Sequence, residues 1–230
     1  MPQFNGASKI MRKLFLDIET LPAEEEKMAT LRLLFDKKNP EFDQEKFDEF
    51  VQKTNFDGAF GRILCIGYAV DDDAPQNFYN ENNEKETLQQ FWHLVDALST
   101  APRNPQYPDY GVLFVGHNVM DFDLRFIYQR SIVLGVKPAM DISFARYRGY
   151  PIFDTMKEWV KWSNSSVGLE YLALALDIPS PKDGIDGSQV AEFFKNGKVN
   201  DILEYCKRDV ETTRAVYRKM VFEKPANKLF

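Results

Sequence analysis

Four carboxylates in three distant segments, with a tyrosine one helical turn before the last, constrain this chain more than any other feature. The first pair is Asp17 and Glu19, in Lys13-Leu14-Phe15-Leu16-Asp17-Ile18-Glu19-Thr20. The third is Asp123, in Gly116-His117-Asn118-Val119-Met120-Asp121-Phe122-Asp123. The fourth is Asp209, four residues after Tyr205 in Tyr205-Cys206-Lys207-Arg208-Asp209. Side chains at i and i+2 of a strand share a face, so Asp17 and Glu19 stand side by side on an apolar run. Like charges so placed repel unless a cation lies between them. Carboxylates with room for water are what Mg²⁺ and Mn²⁺ prefer, and a pair of such ions can drive phosphodiester cleavage.

Each piece also has a plainer reading when taken singly. Val112-Leu113-Phe114-Val115 reads as a strand ended by Gly116, and Asn118 or Asp121 can cap the helix that follows. Asp123 would then only complement that helix's dipole. Tyr205 and Asp209 pair at i, i+4 on a helix over about 199–221. Standing alone, Tyr205 would be a core aromatic with a solvated hydroxyl.

Taken together, the order Asp-x-Glu, Asn-x-x-x-Phe-Asp, Tyr-x-x-x-Asp resembles the three exonuclease motifs of the DEDD superfamily of 3′–5′ exonucleases. The tyrosine matches that superfamily's tyrosine branch. The other branch has a histidine on this helix, and the two histidines, His93 and His117, are both distant from Asp209 in sequence. Three further stretches are similar to family elements: Arg62-Ile63-Leu64-Cys65-Ile66-Gly67-Tyr68-Ala69, Phe153-Asp154-Thr155-Met156 and Ser166-Val167-Gly168-Leu169-Glu170-Tyr171-Leu172-Ala173. The likeness runs from about 12 to 222. It is strongest to stand-alone bacterial proteins related to the proofreading domain of family-B DNA polymerases.

That resemblance implies a ribonuclease-H-like mixed five-stranded sheet flanked by helices. Its first three strands would be antiparallel and its last two parallel to the first; composition and periodicity alone say only α/β. It implies that Asp17, Glu19, Asp123 and Asp209 hold two Mg²⁺ or Mn²⁺ ions. Tyr205 would orient the attacking water, since an unperturbed phenol, with a pKa of about 10, is a poor base. Asn118 and Phe122 would seat the terminal nucleotide, with Phe122 also a core candidate. The implied activity removes nucleoside 5′-monophosphates from the 3′ end of a single strand, DNA ahead of RNA. RNA 3′-end trimming and non-catalytic nucleic-acid binding on the same fold are the alternatives. All five acid and tyrosine positions are filled, and the extra helical domain usual in ribonuclease-D-like trimming enzymes has no visible counterpart.

Charge limits the mode of binding. A net charge of −6 argues against coating long duplex DNA, but not against a cleft gripping a few nucleotides. Arg125, Arg130, Arg146, Arg148, Lys195, Lys198, Lys207, Arg208, Arg214, Arg218 and Lys219 are candidates for phosphate contact or for solvated helix faces. The two cysteines, Cys65 and Cys206, read as free thiols suited to a reducing cytoplasm. No apolar run is long enough for a membrane span, and 1–12 lacks the apolar centre of a secretory signal. The expectation is therefore one cytoplasmic domain over 1–230, with no protein partner evident.

Strands are expected over about 13–18, 62–70, 76–80, 111–115 and near 151–154. Helices are expected over about 84–99, up to 134, and over 167–176, 187–196 and 199–221. Residues 23–57 form an acidic, helix-rich excursion divided by Pro40, a candidate cleft wall or dimer surface. The proline-rich stretch 101–109 reads as a loop, and 182–187 as a capped turn.

Overall fold

A computed structural model of the chain describes residues 11–99, 111–180 and 185–223. The first strand, β1 (Arg12–Leu21), is buried on both faces because it lies at the centre of the sheet. The excursion follows as a 3-10 turn (Glu25–Lys27), α1 (Met28–Asp36), α2 (Gln44–Gln52) and a second 3-10 turn (Lys53–Phe56). Asp43 caps α2 by accepting the Lys46 N–H. Phe35 joins the two helices through ring contacts with Phe42, Phe47 and Phe50. The excursion is tied back to β1 where Thr20 Oγ1 donates to Asn55 O and Ala23 N–H donates to Thr54 Oγ1, both at 2.8 Å.

The remaining strands are β2 (Arg62–Val70), β3 (Gln76–Tyr79), β4 (Val112–Gly116) and β5 (Ile152–Asp154). The remaining helices are α3 (Glu84–Ser99), α4 (Asp123–Leu134), α5 (Thr155–Trp159), α6 (Leu169–Ala175), α7 (Val190–Lys195) and α8 (Val199–Met220). The sheet order is β3-β2-β1-β4-β5. β1, β2 and β3 pair antiparallel; β4 and β5 run parallel to β1. This is the expected ribonuclease-H-like arrangement.

The period of two divides β1 between the layers. Leu14, Leu16 and Ile18 join Phe91, Trp92, Leu124 and Ile127 in the core under α3 and α4. Phe15 turns the other way, against Val210 and Tyr217 of α8. Asp17 and Glu19 share the face of Phe15, so the pleat aims both acids at α8. A β-bulge between Glu19 and Thr20 ends the regular pairing with β2. Across the other layer, the Trp92 indole donates to Ser131 Oγ at 2.9 Å, and Arg130 forms a buried ion pair with Glu84 at 2.7 Å.

Some details differ from the sequence-based expectations. β1 continues to Leu21 because the excursion's 3-10 turn ties down its end. α5 is an additional short helix, nucleated by the Asp154 cap. The helix expected over 187–196 divides into a 3-10 turn (Gly187–Gln189) and α7. Neither Asn118 nor Asp121 caps α4, whose N-cap position is Phe122. Asn118 instead sits at φ 62 and its carbonyl accepts the Asp121 and Phe122 N–H groups, while Asp121 pairs with Lys157. The 101–109 loop, most of 1–12 and positions 182–184 lie outside the described residues. Asp186 does cap the 3-10 turn after it, in a capping box with Gln189.

Candidate active site

The site begins with a close approach between α8 and the sheet. Gly67 on β2 stands opposite Asp17 in the register. A Cβ there would lie 2.6 Å from Cys206 Sγ and 3.1 Å from Val210 Cγ2, so only glycine leaves α8 room to seat. Cys206 Sγ lies 3.6 Å from Asp17 Oδ2 and 3.7 Å from Asp17 O, as donor to both. Potential ligand atoms of Asp17, Glu19 and Cys206 all fall within 4.8 Å of one another. Tyr205, one residue earlier on α8, is hydrogen-bonded to Asp209 one turn on. From the opposite layer, Asp123 at the head of α4 reaches β1, where its Oδ1 accepts the Ile18 N–H at 3.0 Å. Glu19, Asp123, Asp209 and Tyr205 are buried, and Asp17 is half-buried.

The acids feel one another strongly. Burial, then the charges of Asp123 and Asp209, push the Asp17 carboxyl well above the usual range. Burial and Asp17 do the same to Glu19. Burial pushes Asp123 up to about 7, although its own N–H and that of Ile18 favour the charged form. The Tyr205 phenol rises through burial and the charges of Asp209, Glu19 and Asp17. It therefore stays protonated, a donor rather than a base. A hydrogen bond with Cys65 and burial raise the Cys206 thiol, so sulfur is not offered as a thiolate. What remains is a set of crowded oxygen donors whose ionised form needs a cation. That set suits Mg²⁺ or Mn²⁺.

Asp154, at the end of β5, shapes the approach to Asp123. Its carboxylate accepts four backbone N–H groups: Asn118, Met120 and Met156 at 3.0 Å, and Lys157 at 3.2 Å. The loop between β4 and α4 is thus folded around a single side chain. His117 braces it further, with Nδ1 2.9 Å from Thr155 Oγ1 and Nε2 2.8 Å from Val167 O. Gly67, Cys206 and Asp154 were not singled out from sequence as parts of the site. Asp154 before Thr155 carries an N-cap signal, whereas Gly67 becomes meaningful only once its register against Asp17 is known. Of the two residues expected to seat a nucleotide, Asn118 is half-buried on the Asp154 loop. Phe122 packs against Phe56 and Phe126, with ring centroids 6.2 and 5.7 Å away.

A cleft of about 810 Å³ opens beside the acids, lined by Thr20 next to Glu19, by Asn55 and Phe56, by α2, and by Gly187 and Ser188. A Cβ on Gly187 would lie 3.9 Å from the Tyr205 hydroxyl, so this wall adjoins the site. The excursion forms the outer wall and carries Glu45, Asp48 and Glu49 against Lys53. Three of the basic residues named from sequence are committed elsewhere. Arg130 pairs with Glu84, Arg218 with Asp72, and buried Arg214 with Glu211 and the carbonyls of Asp71 and Asp73.

Fold and acid cluster together define a ribonuclease-H-like domain of the kind found in polymerase-associated exonucleases. The chain belongs to the family described as predicted 3′–5′ exonucleases related to the exonuclease domain of PolB, whose model matches residues 76–226. That span includes Asp123, Tyr205 and Asp209 but starts after Asp17 and Glu19; the folded sheet brings the two parts together. Among solved structures, the family B DNA polymerase from the hyperthermophilic archaeon Pyrobaculum calidifontis is similar in fold. The TM-score is 0.61 at 16% identity, over 92% of this chain and 25% of that one. This chain thus spans a quarter of the polymerase it matches. No curated protein matches it in sequence.

Proposed function

We propose that the protein is a metal-dependent 3′–5′ exonuclease that removes nucleoside 5′-monophosphates from the 3′ end of single-stranded DNA. The observation that carries this is the convergence of Asp17, Glu19, Asp123 and Asp209 from three distant segments, with the Tyr205 hydroxyl beside them. Asp17 and Asp209 would hold one divalent ion, and Asp17 with Glu19 and Asp123 a second. When bound, such ions supply Lewis-acid activation of water and neutralise charge at the phosphate and the leaving oxygen. Tyr205, kept protonated by its neighbours, hydrogen-bonds the attacking water and aims it at the last phosphorus. Asn118 and Phe122 border the place for the terminal nucleotide, and the cleft beside Thr20 and Phe56 receives its sugar and base. We take 1–230 as one functional unit. No helix among the described residues is long and apolar enough to cross a membrane, and the buried free thiols of Cys65 and Cys206 suit the reducing cytoplasm.

The test uses 5′-labelled single-stranded DNA, blunt duplex DNA and RNA, each with Mg²⁺, Mn²⁺ or EDTA. A ladder shortening from the 3′ end is expected with metal only, and faster on the single strand. Duplex ends must first unpair, which takes roughly a few kcal/mol. Faster trimming of RNA would transfer the assignment to 3′-end RNA processing. Cutting within a circular single strand, or release of the 5′ label as first product, would sink the exonuclease reading.

A further inference from the structure

A second, smaller pocket of about 240 Å³ lies beyond the C-terminal ends of β4 and β5. The large cleft lies beyond the C-terminal end of β1 and the excursion leaving it. Because β4 and β5 follow β1 in the sheet order, the two cavities flank the acid cluster at one edge of the sheet. Met120 and Asp121, on the loop leading to Asp123, line the small pocket together with Arg146, Tyr147, Lys157, Trp162 and the Ser-Asn-Ser-Ser segment 163–166. We propose that this pocket is a phosphate-and-base subsite for the single strand upstream of its terminal nucleotide, an inference that rests on the exonuclease reading.

Three observations support it. The first is charge. Lys157 pairs with Asp121 at 2.8 Å, Arg125 approaches the same carboxylate at 3.7 Å, and exposed Arg146 lines the pocket. The pocket therefore carries a surplus of positive potential that a phosphate can use. The second is aromatic surface. Tyr147 is 73% exposed, and its ring lies 5.5 Å from that of Trp162 at 48°. Exposed rings beside basic groups are the means by which single strands are held without reading sequence. Both residues sit at left-handed φ, 63° and 62°, a conformation uncommon for bulky side chains and one that concentrates at binding sites. The third is contrast. The outer wall of the large cleft presents Glu45, Asp48 and Glu49 against Lys53, which repels a phosphodiester chain. A strand with its 3′ end at the acids leaves more favourably past Arg146 than along α2.

The experiment reads binding apart from catalysis. A fluorescein-labelled oligothymidylate is titrated by anisotropy in EDTA over a series of salt concentrations, with wild type, Arg146→Ala, Arg146→Lys and Tyr147→Ala. Arg146→Ala should weaken binding roughly tenfold and make the slope of log affinity against log salt shallower by about 0.7, one single-strand phosphate contact. Arg146→Lys should restore the slope. Tyr147→Ala should weaken binding several-fold at unchanged slope, because stacking releases no counterions. Both positions are exposed, and matched thermal melts verify folding. An Arg146→Ala protein with wild-type affinity and slope overturns the proposal. So does displacement of the oligomer by thymidine monophosphate or inorganic phosphate with the same dependence on Arg146, which would make the pocket a mononucleotide site. Wild-type protein inactive with Mg²⁺ and Mn²⁺ would remove the exonuclease reading, whereas this binding series judges the pocket without any turnover.

Discussion

At the scale of single residues, the acids and Tyr205 test the proposed chemistry most directly. Asp17→Ala, Glu19→Ala, Asp123→Ala and Asp209→Ala should each abolish 3′-end hydrolysis, and pairs of them should lose little more than singles, since the cluster acts as a unit. Near-wild-type turnover in Asp17→Ala would end the two-ion assignment. Tyr205→Phe keeps the ring and removes the donor, and should lower the single-turnover rate constant by on the order of 10- to 1,000-fold. An unchanged rate constant would reduce Tyr205 to a packing residue. Gly67 gives a structural test. Gly67→Ala pushes a methyl into Cys206 Sγ and should destabilise the fold by about 1–3 kcal/mol. Cys206→Ala removes the closest clash, so the double variant should recover part of that loss in urea titrations; strictly additive losses would contradict the close seating of α8. The acids were legible in sequence because their chemistry and spacing are local properties. Gly67 was not, because its role depends on a strand register and on a helix arriving from nearly 140 positions later in the chain.

At the scale of elements, Asp154 organises the loop before α4, where Asn118 or Asp121 was expected to cap the helix itself. Read locally, the turn before α4 offers two good capping side chains. Neither is used: the Leu124 N–H goes to the Val119 carbonyl, Asp121 pairs with Lys157, and the loop itself is held by a carboxylate from a parallel neighbouring strand. Such a partner cannot be seen in a window of a few residues. Asp154→Ala leaves the buried N–H groups of Met120 and Met156 without their acceptor and should lower stability by about 2–4 kcal/mol. It should also loosen the loop that aims Asp123. The expected pattern is a lower melting temperature and a larger fall in kcat than in affinity for the single strand. A variant with full kcat and reduced stability would show that the loop does not depend on Asp154 for its active shape. The excursion was legible as helical and as divided near Pro40. Its docking against β1 through Thr20 and Thr54 was not, since those hydroxyls carry no pattern of their own.

At the scale of the whole molecule, the topology was legible through family likeness rather than periodicity, which cannot order five strands. The price of the site is a metal-free fold strained by its own charges. Carboxyls with a raised folded pKa keep protons that the unfolded chain has already released. Their stabilisation is complete below the ordinary carboxylate range and is lost as pH rises, for Asp123 up to about 7. Buried His117 works in the opposite direction, losing stability on acidification. In EDTA, the advantage of wild type over Asp123→Asn should therefore shrink between about pH 4 and 7. Mg²⁺ or Mn²⁺ should raise the melting temperature of wild type by mass action and that of Asp209→Ala much less. Equal metal-induced shifts in the two proteins would count against a shared site. The way the cluster is assembled also carries a consequence for folding. Asp17 and Glu19 lie on β1, whereas Tyr205 and Asp209 belong to α8, nearly 190 positions later. A chain whose sheet has formed but whose α8 is not yet docked holds the first acids without Asp209. The proposed metal pair therefore has its full set of ligands only in the completed fold.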